Sequence, residues 1–162
     1  MSLIRKILVP IDFSPCSQAA VYYAGALAEE LGASLEVVHI ESDDAFKIGS
    51  TTPSAPDALQ DEKARMDKAM ARVQQSLGER VTRRTERGDP LQKILELAGS
   101  AVYDLIVLGT HGRIGRLHAL VGSVAEGVVR NAPCPVLTVR VASGEAESFA
   151  DRLRGGTSVG ER

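Results

Sequence analysis

The chain has 162 residues, of which 44% are hydrophobic and 25% charged, with a formal charge of −2. That is the size and balance of one soluble globular domain, and it leaves no whole-protein field to draw in nucleic acid or a membrane surface. Aromatic residues make up only 4% and Trp is absent, so aliphatic side chains must supply the core.

The opening "MSLIRKILVPID" holds an apolar run too short for a signal sequence or a membrane span, and the expected compartment is the cytoplasm. Within it "IRKILVPID" is β-branched, almost continuously apolar and ends at Pro and Asp, which predicts a strand buried on both faces. A helix follows in "SPCSQAAVYYAGALAEELG", with Ser14 as cap, Pro15 at the first helical position and Gly32 as the stop. Ala19, Ala20, Tyr23, Ala24, Leu27 and Leu31 recur there at helical spacing. "ASLEVVHIE" is a second strand, and residues 42–56, polar and broken by Pro and Gly, form a mobile loop. "DALQDEKARMDKAMARVQQSLG" is an amphipathic helix capped by Asp57 and stopped near Gly78.

A more polar third strand, "ERVTRRTERG", precedes a helix over "DPLQKILELAGS" with Asp89 as cap and Pro90 in the first turn. "YDLIVLG" is a fourth, buried strand and "SVAEGVVRNA" a fourth helix. "CPVLTVRV" is a fifth strand with Pro135 at its start, where Pro is tolerated. Residues 1–141 form the domain. Residues 142–162 read as a flexible, loosely attached polar tail with at most a short helix at Glu145–Leu153. Cys16 and Cys134 are far apart and lack zinc or redox spacing, so both read as buried or inert thiols.

Five alternations of strand and helix predict an α/β fold: a single-domain, open, parallel five-stranded Rossmann-like sheet with helices on both faces. The order 3-2-1-4-5 places the most apolar strands, first and fourth, in the centre, and the polar third and Pro-started fifth at the edges.

In such sheets ligands bind beyond the carboxyl ends of the strands, where the order reverses. Here the reversal lies between strands one and four, so Asp12 and the stretch "GTHGRIGRLHALVGS" from Gly109 to Ser123 emerge side by side. That stretch leads into a helix N-terminus, where unpaired N–H groups and a partial positive charge attract anions. Gly109, Gly112 and Gly122 allow positive φ or close approach, Ser123 offers a hydroxyl, and Arg113 and Arg116 add charge. "SVAE" at Ser123–Glu126 also reads as a capping box, in which Ser123 satisfies the helix and Glu126 reaches back. Cap and phosphate site remain open, and they are compatible. A P-loop and a G-x-G-x-x-G turn after the first strand are both absent, which argues against those nucleotide folds.

The pattern Gly109-x2-Gly112-x9-Gly122-Ser123 resembles the G-x2-G-x9-G-[ST] motif of the ATP-binding branch of the universal stress proteins, an adenine nucleotide alpha hydrolase-like fold. The resemblance includes "VPIDFS", "GDP" at Gly88–Pro90, "YDLIVLGTHG" and "GSVAEGVVRNAPCPVLTVR", and covers roughly residues 3–141. It implies a homodimer that binds ATP, or ADP, AMP or cyclic AMP, with Mg2+ a possible companion. By that resemblance Asp12 faces the adenine and ribose, Ile40 lines the adenine pocket, and Gly109, Gly112, Gly122 and Ser123 hold ribose and phosphates. Pro10, Ile11, Thr110, Arg113 and Val124 complete the implied nucleotide-binding set. The fifth strands, near Pro135–Val141, would pair in the dimer, which also covers an exposed edge. Two features depart from the family: Tyr103 stands where a small residue is more usual, and the tail beyond Val141 has no counterpart.

Other residues read more plainly. His111 is a loop residue pointing to solvent, His39 a hydrogen-bonded core histidine and His118 exposed; the three do not form a metal site. Arg80, Arg83, Arg84 and Arg87 are better read as charge protecting an edge strand than as an RNA surface. Glu41, Asp43 and Asp44 form a solvated acidic loop more readily than a cation site, and Asp89 is a cap rather than a catalyst. Cys16, at a helix start near the ligand mouth, has some potential for redox sensitivity. With no catalytic set assembled, the expected function is a nucleotide-responsive stress module, with no nucleic-acid or membrane partner. A slow ATPase or other adenine-nucleotide hydrolase is the alternative.

Overall fold

Strand β1 (Lys6–Ile11) buries every residue after its first. It leads into α1 (Pro15–Leu31), where the predicted signals all operate: Ser14 caps the helix by accepting the Ser17 N–H, Pro15 opens it, and Gly32 closes it in the left-handed region at φ 68°. The computed structural model describes residues 2–42, 56–100, 102–111, 121–141, 146–153 and 155. Most of the loop expected over 42–56 therefore lies outside the described residues.

The remaining elements are β2 (Ser34–Glu41), α2 (Pro56–Leu77), a 3₁₀ turn at Gly78–Arg80, β3 (Val81–Arg87), α3 (Pro90–Gly99), β4 (Leu105–Gly109), α4 (Ser123–Asn131), β5 (Val136–Val139) and α5 (Ala146–Leu153). Two boundaries differ from expectation. Helix α2 starts at Pro56, which moves Asp57 from the cap into the first turn. The third strand starts at Val81, because Gly78 turns the chain at φ 59° and Glu79 and Arg80 stay in the 3₁₀ turn.

The five strands run in the order β3-β2-β1-β4-β5, as predicted, and all four pairings are parallel. Helices cover both faces. Ile7, Val9, Leu35, Val37 and Val107 point toward α1 and α2, packing with Ala20, Ala24, Met66 and Val73. Leu8, Val38, Ile40, Ile106 and Leu108 point to the other face, under Ile94 of α3 and Val128 of α4. The alternation of neighbouring residues between two clusters is the period of a strand buried on both sides, and each fully buried aliphatic side chain contributes roughly 1.5–3 kcal/mol.

The tail is not loosely attached where it is described. Helix α5 lies along α1, with Ala146 and Ala150 only 4% and 3% exposed. The Phe149 ring stacks on Tyr23 at 6.1 Å, and Asp151 pairs with Arg72 of α2 at 3.2 Å. The apolar face at Ala146, Phe149, Ala150 and Leu153 has helical spacing, and that amphipathicity overrides the polar composition of the segment.

The third strand is an edge, as expected, and its arginines are tied down. Arg80 donates to the Ala28 and Ala33 carbonyls, Arg83 pairs with Asp67, Arg84 with Glu86 and Glu36, and Arg87 with Glu41. This is a charged edge, which discourages pairing with another strand.

Candidate functional site

The carboxyl ends of β1 and β4 meet at the point where the strand order reverses. After Ile11 the chain turns sharply. Asp12 accepts the Ser14 N–H on Oδ1 at 3.0 Å, and Phe13 sits in the left-handed region at φ 66°. For a bulky residue that conformation costs of order 1–3 kcal/mol and needs support from its surroundings. The support is visible. The Phe13 ring is buried against the His39 ring at 4.6 Å, and the Gln18 amide donates to the Phe13 carbonyl at 3.1 Å. Ser17 Oγ donates to the Ser14 carbonyl at 3.0 Å. His39 Nδ1 lies 3.1 Å from the Ile11 carbonyl, in keeping with a hydrogen-bonded, half-buried histidine.

The end of β4 is held against this turn. A Cβ on Gly109 would sit 2.7 Å from the carbonyl carbon of Cys16 and 2.8 Å from the Ser17 nitrogen. No side chain fits there. Gly109 therefore serves the approach of α1 to β4, and its φ is not positive, which corrects the expectation of a positive-φ conformation at this position. Ser14 Oγ closes the junction by donating to the His111 carbonyl at 3.2 Å. Thr110, only 7% exposed, is the anchor: its N–H donates to Val139 at 3.0 Å and its carbonyl accepts the Gly122 N–H at 2.6 Å. Its hydroxyl meets His111 Nδ1 at 2.9 Å, so the half-buried His111 ring is not simply directed to solvent.

Helix α4 begins beside Thr110. Gly122 is its N-cap, in extended conformation at φ −70° and ψ 158°, again without positive φ. The expected capping box does not form. Ser123 is the first helical residue rather than the cap, and the cap, Gly122, has no side chain with which to bond the helix. This shift moves Glu126 one position too far along to reach back; its backbone N–H makes the first helical bond, to Gly122 at 2.9 Å, and its carboxylate pairs with Arg130 at 2.9 Å. The N–H groups of Ser123, Val124 and Ala125 thus precede the first helical donor and face out of the helix end, where they attract an anion.

Of the sequence-predicted set, Pro10, Ile11, Asp12, Gly109, Thr110, Gly122, Ser123 and Val124 gather at this end of the sheet. Ile11 directs its side chain into the core beneath α1, and Ile40 is 8% exposed on the opposite face, one residue beyond the Ile11–His39 rung. Gly112, Arg113, Arg116, His118, Asp43 and Asp44 lie outside the described residues. Glu41 pairs with Arg87. The supporting roles of Phe13 and Ser17 were missed from the sequence; the closely spaced serines in "FSPCS" were the available signal. Among the described residues no cluster of three or more His, Cys, Asp and Glu side chains is placed to hold a metal ion, and no helix is long and apolar enough to cross a membrane.

A cavity of about 370 Å³ lies between α3, Val102 and Tyr103 ahead of β4, and the strands β1, β2 and β3 at Lys6, Glu36, Arg84 and Glu86. Its charges neutralise one another. Buried Glu36 accepts from Lys6 at 3.0 Å and from Arg84 at 3.5 Å, and Lys6 lies over the Tyr103 ring at 4.8 Å. Burial disfavours the Glu36 charge, yet hydrogen bonds from Lys6 and Tyr103 and the Lys6 charge hold its carboxyl below its ordinary value. Burial, and then the bond to Glu36, push the Tyr103 phenol up to about 12. The unusual tyrosine thus completes an ion-pair cluster. Cys16 is buried and Cys134 half-buried; burial pushes the Cys134 thiol up, away from the reactive thiolate.

Comparisons with known proteins agree with the fold. A universal stress protein, MJ0531, from Methanocaldococcus jannaschii is 32% identical over 143 residues, covering 86% of this chain and 84% of its own. The structure of UspA from Lactobacillus plantarum superposes with a TM-score of 0.67 at 30% identity, covering 85% of this chain and 98% of that one. A crystal structure of a universal stress protein in complex with cAMP superposes with a TM-score of 0.63 at 26% identity, covering 87% of this chain and all of that one. The universal stress protein family profile matches residues 3–140, and with the sheet order and these relatives it shows that the chain belongs to the universal stress protein family.

Proposed function

We propose that the protein binds ATP or a related adenine nucleotide, with the phosphates at the N-terminus of α4 and the nucleoside toward Asp12 and Ile40. The observation that carries this reading is the start of α4: a glycine N-cap that supplies no side-chain bond, held beside the β1–β4 crevice through the Gly122–Thr110 bond. The cAMP complex of a family relative supports the adenine assignment. The chemistry of the donor set fits a phosphate, because backbone N–H groups and a serine hydroxyl offer hydrogen bonds without requiring a metal. Mg2+ would then arrive with the nucleotide. The protein acts as a nucleotide-responsive module rather than through turnover.

The same reading includes a homodimer through β5. That strand forms the other edge of the sheet and carries no charge over Val136–Val139, while Val129 on neighbouring α4 is 53% exposed. An uncharged edge beside an exposed valine suits a second copy of the chain. Light scattering after size exclusion should give twice the monomer mass, and Leu137→Lys should shift it to monomer.

Titration calorimetry with ATP, ADP, AMP and cyclic AMP tests the nucleotide. Ser123→Asp is the informative variant. A carboxylate in the first turn favours the helix but repels a phosphate. Affinity should fall about tenfold, roughly 1.4 kcal/mol, with unchanged or raised thermal stability. Equal affinity in both proteins, or heat from none of the four nucleotides, would overturn the reading.

A further inference from the structure

Helix α5 lies beyond residues 3–140, the part of the chain that the family profile matches, yet it packs along α1, the helix whose first turn borders the candidate site. The connections run in sequence. Val139, at the end of β5, accepts the Thr110 N–H; two residues later Val141 accepts a 3.6 Å contact from Cys16 Sγ, in the first turn of α1. Helix α5 then follows α1, with Ala146 and Ala150 buried, Phe149 stacked on Tyr23 and Asp151 bonded to Arg72. The same first turn of α1 carries Ser14, whose hydroxyl holds the His111 carbonyl. Helix α5 therefore bears on α1 at Tyr23, and the first turn of α1 meets the exit of β4 through Ser14 and His111, beside the Thr110–Gly122 bond to the start of α4.

The energetics suit a coupled element. An eight-residue helix is marginal alone, so α5 persists only through its docking contacts. Among the described residues those contacts are two alanines, Leu153, one ring pair and one surface ion pair, whose Asp151 side chain is 69% exposed. Such a segment opens at far lower cost than the sheet.

We propose that α5 is a strap on the nucleotide site: docked along α1, it holds the first turn of α1 against the exits of β4 and β5, and α5 docking and nucleotide binding strengthen each other. This rests on the nucleotide reading above. Coupling of this kind is reciprocal, so each event stabilises the other by the same factor.

The test uses the full chain with Phe149→Ala, which removes the ring stack, and Ala150→Asp, which places a charge in the buried contact. Neither residue touches the candidate site, and circular dichroism checks that both variants remain folded. ATP affinity is measured by calorimetry, and amide exchange of residues 146–153 is followed with and without ATP. Support is a loss of affinity of about fivefold or more in both variants, with slower exchange of α5 in the parent once ATP is bound. If the parent binds ATP and both variants bind equally well, the strap is overturned and the nucleotide reading stands. If the parent binds no nucleotide, both fall together.

Discussion

At the amino ends of the strands, Glu36, Lys6, Arg84 and Tyr103 satisfy one another, and the chain termini of β1 and β4 are stitched together by Asp104, which accepts the Arg5 and Lys6 N–H groups. At the carboxyl ends the side chains do the opposite. Ser14, Ser17 and Gln18 bond to backbone groups of the turn, holding Phe13 in a strained conformation, while α4 starts at a glycine that offers no side-chain cap. The contrast separates two uses of polarity. Where charges pair internally, a cavity is stable but offers little to a ligand. Where backbone donors are positioned at a helix start that a glycine caps, the proposed phosphate would find its partners.

Substitutions at each end can break that contrast. The largest effect is expected from Gly109→Val, because any Cβ there collides with backbone that cannot swing away. A loss of about 3 kcal/mol should lower the melting temperature by roughly 6–12 °C and abolish nucleotide binding, since α1 must retreat from β4. A variant melting within 2 °C of the parent would show that the junction is looser than its geometry.

Glu36→Ala comes next. It strands Lys6 and the Tyr103 phenol, but Lys6 and Arg84 are 30% and 47% exposed and recover water. About 2 kcal/mol should be lost in denaturant titration, with nucleotide affinity unchanged. Altered affinity would mean that the two ends are not independent. The folded Glu36 pKa is lowered, so its contribution is present above the ordinary value of 4.5 and disappears as pH falls through the lower, folded value.

Tyr103→Phe should cost about 1 kcal/mol at neutral pH, but it changes the alkaline limb more tellingly. The phenol is raised from 10 to about 12, so the parent loses stability as pH climbs through that window, in which the unfolded chain ionises first. The phenylalanine variant should lack that part of the slope in urea midpoints measured from pH 9 to 12. The smallest effect belongs to Arg83→Ala on the charged edge. Its pair with Asp67 has side chains 44% and 65% exposed, and the change should stay within about 0.5 kcal/mol.

Much of the fold was legible because local signals agreed with the global pattern. Ser14, Pro15 and Gly32 bracket α1, Asp89 caps α3 by accepting the Gln92 N–H, and strand apolarity placed β1 and β4 centrally. The capping box at Ser123 was misread because its outcome depends on a one-residue choice of helix start, which Gly122 and its bond to Thr110 decide from outside the helix. The reason for Gly109 was hidden because the neighbour it accommodates is nearly a hundred residues away in the chain. Helix α5 was undervalued because its apolar face is only four residues wide and acquires meaning only against Tyr23 and Ala24.

The position of β1 also dictates the order in which the molecule is assembled. It precedes the other strands of its sheet, yet its second neighbour is β4, and the bond from the Lys6 N–H to Asp104 spans 98 residues. During synthesis, β1, β2 and β3 with α1 and α2 emerge as a three-stranded half with one raw central edge. That edge stays open until β4 arrives, a long loop to close and an invitation to wrong partners. Only then do Thr110 and Gly122 come to lie beside Ser14. The crevice thus exists only once β4 and α4 have joined β1, and its presence reports that the two halves of the sheet have met.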